Sequence, residues 1–230
     1  MVSAVRLNAD VGEDPRAVVD GTQEALLALV QMANVACGGH AGDVDTMRAT
    51  VEQCLRHRVQ IGAHPSYPDR AGFGRRTLSM EPAALASSVR EQVRALVDIA
   101  AACGARVLHV KPHGALYHDA ARDPAVADAL IAALADEDVH VVLIAGAPMS
   151  ARFVAAGFAV VDEAFADRAY RTDGSLVPRT EPGALVTDPA AAASQAKRLV
   201  DEGRAGTLCV HGDTPGALAI ARAVAAVVRA

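Results

Sequence analysis

Seven times along this chain a short β-like run is followed by a helix-like run, and nearly every β-like run ends in chemically capable polar residues. The expected strands are Val2–Leu7, Met32–Ala36, Gln60–Ala63, Arg106–Val110, His140–Ile144, Ala159–Val161 and Thr207–Val210. The expected helices are Thr22–Val30, Val44–His57, Pro82–Ala102, Pro124–Ala135, Met149–Ala156, Pro189–Glu202 and Pro215–Val228. Such alternation predicts an α/β chain with a parallel sheet, because parallel neighbours need a crossover and a helix is the usual one. An open sheet would gather reactive residues near one switch point. Here they follow strand after strand, which favours a closed seven-stranded (β/α) barrel whose strand ends share one mouth.

The punctuation agrees with this reading. Asp123–Pro124, Asp188–Pro189 and Thr214–Pro215 each place a capping side chain before a proline, at the helix start where a missing N–H costs nothing. Gly104, Gly157 and Gly203 stand where helices should stop in a left-handed turn. No linker divides residues 1–230, so a single domain is expected. Apolar residues make up 52 % of the chain but aromatics only 3 %, so the core must be built mainly from Ala, Val and Leu.

Composition also narrows function. A net charge of −5 without Lys/Arg runs gives no reason to expect nucleic acid or an anionic membrane surface. The longest apolar stretches, Val141–Met149 and Phe153–Val161, fall well short of a membrane span, and the first residues lack the apolar core of an export signal. A cytoplasmic location is expected. Cys37, Cys54, Cys103 and Cys209 show no metal-finger spacing and read as free thiols, with Cys37 notable for its Gly- and His-bearing loop.

The motifs at the strand ends carry the chemistry. In LNADVGE, Asp10 and Glu13 read as a metal ligand or general base, or as a cap or loop salt bridge. In ANVACGGHAGD, His40 suits metal binding or proton transfer, and Asp43 is expected to cap the following helix. His64 leaves a strand directly before Pro65. Asp10, His40 and His64 together make a common divalent-metal ligand set. In VKPHGALY, Lys111 lies just past a buried strand, where an ammonium needs an anion: a substrate carboxylate or phosphate, or a neighbour such as Asp162. His113 is a second proton-transfer candidate. Arg168 and Arg179 lie in the long segment Phe165–Thr187 and could clamp a carboxylate. Asp173–Gly174 there reads as a turn, and Pro65–Met80 is a second long loop. His211 ends the last strand, with Asp213 or Thr214 as the next helix cap. The surface histidines His57, His118 and His140 carry no assigned role. No phosphate-binding loop, dinucleotide fingerprint, nucleophile elbow or zincin helix is present.

Taken together, LNADVGE, ANVACGGHAGD, GAHPSYPDRAGFGRR, VKPHGALY, EAFADRAYRTDGSLVPR and CVHGDTPGA resemble the LamB/YcsF family, in its order and over nearly the whole chain. One departure is Gly39, where the family usually has Phe. The resemblance implies a barrel akin to the glycoside hydrolase/deacetylase fold. It implies ATP-dependent opening of 5-oxo-L-proline to L-glutamate, with ADP and phosphate formed, beside partner subunits B and C. ATP would be used through those partners, and a divalent metal is a further candidate cofactor. On this reading Asp10 or His40 prepares water, His64 or His113 moves protons, and Lys111 or Arg179 holds the carboxylate. Arg168, Asn8 and His211 complete the substrate-binding set. Two rival readings are a stand-alone metal-dependent deacetylase or amidohydrolase, and a non-catalytic regulatory subunit. The sequence leaves self-association open.

Overall fold

The computed structural model describes residues 5–212 and 214–228. Seven strands, β1 (Arg6–Val11), β2 (Met32–Ala36), β3 (Gln60–His64), β4 (Val107–Val110), β5 (His140–Ile144), β6 (Val160–Phe165) and β7 (Thr207–Cys209), form a closed barrel in chain order. All pairings are parallel. Closure is made by Arg6, Leu7 and Asn8 of β1 against Thr207, Leu208 and Cys209 of β7. Around it pack α1 (Pro15–Val19), α2 (Thr22–Leu27), α3 (Val44–His57), α4 (Pro82–Ala102), α5 (Gly114–Arg122), α6 (Pro124–Leu134), α7 (Ser150–Ala155), α8 (Pro189–Asp201) and α9 (Ala217–Val228).

Local chemistry sets most helix ends. Asp43 and Thr46 form a reciprocal capping box on α3. Asp123 and Asp188 accept backbone N–H groups at the starts of α6 and α8, each just before its proline. Gly104, Gly157 and Gly203 follow helices with φ of 75°, 95° and 64°.

Several expectations need correction. Residues 1–4 of the expected first strand lie outside the described residues, and β1 runs on through Asn8 and Asp10 to Val11. β6 likewise continues four residues past Val161, which puts Asp162 and Glu163 inside a strand. Side chains alternate there, so Asp162 faces solvent while Glu163 is fully buried. The expected cap at Thr214 fails because α9 starts at Ala217 and the Thr214 hydroxyl donates to Asp167 instead; Asp213 lies outside the described residues. Two helices, α1 and α5, had no sequence assignment. Gly114 looks like a breaker in VKPHGALY, yet it opens α5 with φ 57°, and a Cβ there would strike the Gly74 carbonyl.

The outer layer is apolar and the lumen is polar. Between sheet and helices pack buried Leu, Val and Ala with Phe153 and Tyr67. Inside the barrel, hydrogen bonds join strands that are not neighbours. Asn8 of β1 donates to Glu163 of β6 at 2.9 Å. His109 of β4 lies 2.9 Å from Asn34 Oδ1 of β2. Gly62 makes room for the latter, since any Cβ there would collide with the His109 ring. The β3–β4 register shifts at that same glycine.

Candidate active site

Lys111 sits at the centre of the barrel mouth, just past β4. Its Nζ lies 2.9 Å from Asp10 Oδ1, 3.0 Å from Glu163 Oε1 and 3.1 Å from Cys209 Sγ. The side chains of Lys111, Asp10 and Glu163 are 4 %, 9 % and 0 % exposed. An ammonium in so dry a place survives only through such partners. Burial alone would lower its pKa, but the carboxylates of Asp10 and Glu163 hold it well above the usual lysine range. Burial would raise the Asp10 pKa, yet His64 and Lys111 keep that carboxyl well below its usual value. Cys209 stays a thiol, because burial pushes its pKa well up despite the adjacent ammonium. The partner expected from sequence, Asp162, takes no part. Glu163 does, and it also accepts the Tyr117 hydroxyl at 2.7 Å.

On the β1–β4 side, Glu13, His40, His64 and His113 converge. Glu13 Oε1 lies 2.9 Å from His40 Nε2, 3.3 Å from His113 Nδ1 and 3.9 Å from His64 Nε2. His40 and His113 stack with ring centroids 3.6 Å apart. The loop 65–80 roofs this cluster: Phe73 packs edge-on to both rings, and its carbonyl accepts from His113 Nε2 at 2.9 Å. Burial, with the neighbouring His64, pushes the His40 and His113 pKa values down to about 2, so both rings are neutral. Gly39 has no space for a side chain, because Gln92 of α4 reaches in to hold the Ser66 main chain through both N–H and C=O.

On the β6–β7 side, His211 Nδ1 donates to Asp167 Oδ1 at 2.9 Å. Asp167 is fully buried and also accepts the His211 backbone N–H and the Thr214 hydroxyl. Burial would raise its pKa, but the adjacent His211 and these hydrogen bonds bring it to about 2. The bond fixes the tautomer and leaves Nε2 as the reactive nitrogen of His211, while the ring lies flat against Phe165.

Asp10, Glu13, His64, Lys111, His113 and His211 border one cavity of about 590 Å³, also lined by Arg75, Tyr117, Arg168 and Arg179. Of the residues expected to act, Asp10, His64, Lys111, His113, His211, Arg168 and Arg179 reach it. Asn8 and His40 do not. Asn8 is fully buried below the mouth, tied to Glu163, Thr207, Asn34 and Lys111. His40 lies behind His113. Arg168 reaches the lining, but it donates to the carbonyls of Ala184 and Val177 and so stitches its own loop. Asp10 is 3.3 Å from His64, yet Lys111 and Asn34 engage its Oδ1, and the four-residue group fit for a metal has Glu13 and His113 in its place. Cys37 is buried, and burial raises its pKa to about 12, which leaves an inert thiol. Sequence reasoning gave Asp167, Tyr117 and His109 no role. Period-two alternation from Glu163 would have pointed Asp167 inward.

Fold and site define a closed (β/α) barrel with a charged, enzyme-like ligand cavity at the strand C-termini. Comparison refines that class. The family model for LamB/YcsF proteins matches residues 5–230, and the chain belongs to this family. A Methylococcus capsulatus protein named as a 5-oxoprolinase subunit is 45 % identical, over 96 % of this chain and 91 % of its own length. A Chloroflexus aggregans protein of the same name is 47 % identical, over 96 % and 93 %. The crystal structure of a lactam utilization protein from Thermus thermophilus superposes with a TM-score of 0.90 at 40 % identity, over 98 % of this chain and 96 % of that one. Among the described residues, no helix is long and apolar enough to cross a membrane.

Proposed function

We propose that this chain is a subunit of a 5-oxoprolinase and that its barrel mouth opens the ring of 5-oxo-L-proline. The observation that carries the reading is the single cavity that Lys111, Asp10 and His211 all reach, with Glu163 and Asp167 buried behind them as partners, in a chain so similar to proteins bearing that name. A lactam carbonyl is a weak electrophile, so activation by ATP suits the chemistry. In this reading ATP is used through partner subunits B and C, in keeping with a sequence in which no phosphate-binding loop is recognisable.

In this account Arg179 and Arg75 at the cavity wall hold the substrate carboxylate. Lys111 Nζ, already fixed between two carboxylates, donates to the carbonyl oxygen as charge develops there. His211 Nε2 takes a proton from water as the water oxygen bonds to the ring carbon. With the lactam oxygen phosphorylated from ATP by the partners and ADP released beforehand, the ring C–N bond then breaks, and the proton passes to the nitrogen that becomes the glutamate amine. A second water hydrolyses the resulting acyl phosphate to glutamate and phosphate. Asp167 keeps the imidazole oriented. Asp10, with its pKa held low, positions Lys111 rather than accepting a proton.

The test is glutamate formation from 5-oxoproline and ATP by the purified chain with its partner subunits. The reading expects turnover that needs every component and falls at least a hundredfold with His211→Ala. Full activity of that variant would overturn the assignment. Ring opening of a simple lactam without ATP or partners would instead favour the stand-alone amidohydrolase.

A further inference from the structure

We propose that Glu13, His64 and His113, with His40 as a fourth ligand, form a binding site for one zinc-like divalent cation on the wall of the cavity. Hydrogen-bond direction fixes two of the tautomers. His64 Nδ1 lies 2.7 Å from the Lys111 carbonyl. A carbonyl only accepts, so His64 donates from Nδ1, and Nε2 is the nitrogen turned toward the cluster and able to serve as a ligand. His113 Nε2 lies 2.9 Å from the Phe73 carbonyl, so by the same logic its Nδ1 is turned inward. These two nitrogens face each other at 3.0 Å. Such a pair needs a cation beside or between the two nitrogens, a shared proton or a metal ion, and the other ligand atoms gathered at the same point suit the metal ion.

Glu13 Oε1, another acceptor, comes to the same point. Ligands at about 2.0 Å from a tetrahedral ion sit about 3.3 Å from one another. The separations here, 2.9, 3.0, 3.3 and 3.9 Å, straddle that value. All four ligand atoms lie within 4.8 Å of one another. The two carbonyls play the orienting part that metal-bound imidazoles usually require. His40 lacks such support: its Nδ1 is buried with no hydrogen-bond partner. Three imidazoles and one carboxylate suit zinc or cobalt over magnesium or calcium. Glu13, His64 and His113 also line the cavity, so a bound ion would face the substrate.

This inference stands apart from the 5-oxoproline reading, because it concerns binding by the chain alone. The experiment uses full-length, tag-free protein stripped with dipicolinate. It is titrated with Zn²⁺ against a chromophoric competitor, and separately with Co²⁺ while visible absorption is followed. The result expected is one equivalent bound with submicromolar Kd, tetrahedral Co²⁺ bands and a raised Tm. His64→Ala and His113→Ala should each weaken binding at least a hundredfold, Glu13→Gln about tenfold, and His40→Ala least. His211→Ala, outside the cluster, should leave Kd unchanged. Circular dichroism of each variant, with Glu13→Gln as the mildest change, separates lost ligands from lost fold. No stoichiometric binding, binding unchanged in His64→Ala, or a nitrogen-15 spectrum showing a charged His64 imidazolium in metal-treated protein would each overturn the proposal. Metal binding without ring opening would leave this site standing and sink only the reaction.

Discussion

The two sides of the barrel mouth use histidine in opposite ways. On the β1–β4 side, backbone carbonyls take the outward protons of His64 and His113, so their other ring nitrogens point inward beside Glu13. On the β6–β7 side, a buried carboxylate takes the Nδ1 proton of His211, which leaves one basic nitrogen among arginines. The first arrangement collects a cation, and the second handles a proton near an anionic ligand. Lys111 stands between them, so the partner of each imidazole, rather than its residue type, sets its chemistry.

The contrast breaks most severely at its hinge. Lys111→Met leaves the Asp10 and Glu163 carboxylates buried without their cation, and should cost about 3–5 kcal/mol in chemical denaturation and abolish glutamate formation. An active, equally stable variant would show that the two sides do not share this centre. Next come the β6–β7 variants. Asp167→Asn should lower kcat by about 10²–10⁴ with little change in KM, as loss of an oriented base predicts. Its stability profile should also change. The wild-type Asp167 pKa lies near 2, below the ordinary 3.8, so its contribution is present above pH 4 and lost as pH falls toward 2. That contribution is about 2 kcal/mol, and the variant should lack this acid limb.

His109 gives a separable effect, on stability and not on turnover. Burial lowers its pKa from 6.5 to about 3. The unfolded chain therefore binds a proton that the folded chain refuses, and stability falls as pH drops from 6.5 toward 3. The slope from this group is about 1.4 kcal/mol per pH unit. His109→Gln should remove that share of the slope, and an unchanged slope would mean the ring is accessible to protons. The mildest change is Arg179→Lys, which should raise KM for 5-oxoproline about tenfold and leave kcat nearly intact, since a bidentate fork becomes a point charge.

The architecture was legible because it is written in local signals. Caps at Asp43, Asp123 and Asp188 and stops at Gly104, Gly157 and Gly203 mark helix ends wherever they occur. Polar residues after successive strands announced the mouth. Pairing was less legible, because it depends on which strands face each other across the lumen. Lys111 meets Glu163 and not Asp162 because β6 runs four residues farther than its apolar run suggests, and alternation then turns one acid inward and the other out. Asn8 looked like a ligand contact but holds the centre from below. α5 was hidden because Gly114, elsewhere a helix breaker, is the one residue that fits against the Gly74 carbonyl.

The central claim is that one cavity at the strand ends holds the substrate. A crystal structure of this chain grown with 5-oxo-L-proline tests it most directly. The account predicts the ligand inside the mouth, with its ring oxygen within hydrogen-bond reach of Lys111 Nζ and its carboxylate against Arg179 or Arg75. Ligand bound on another surface, with Lys111 and His211 out of its reach, would contradict it.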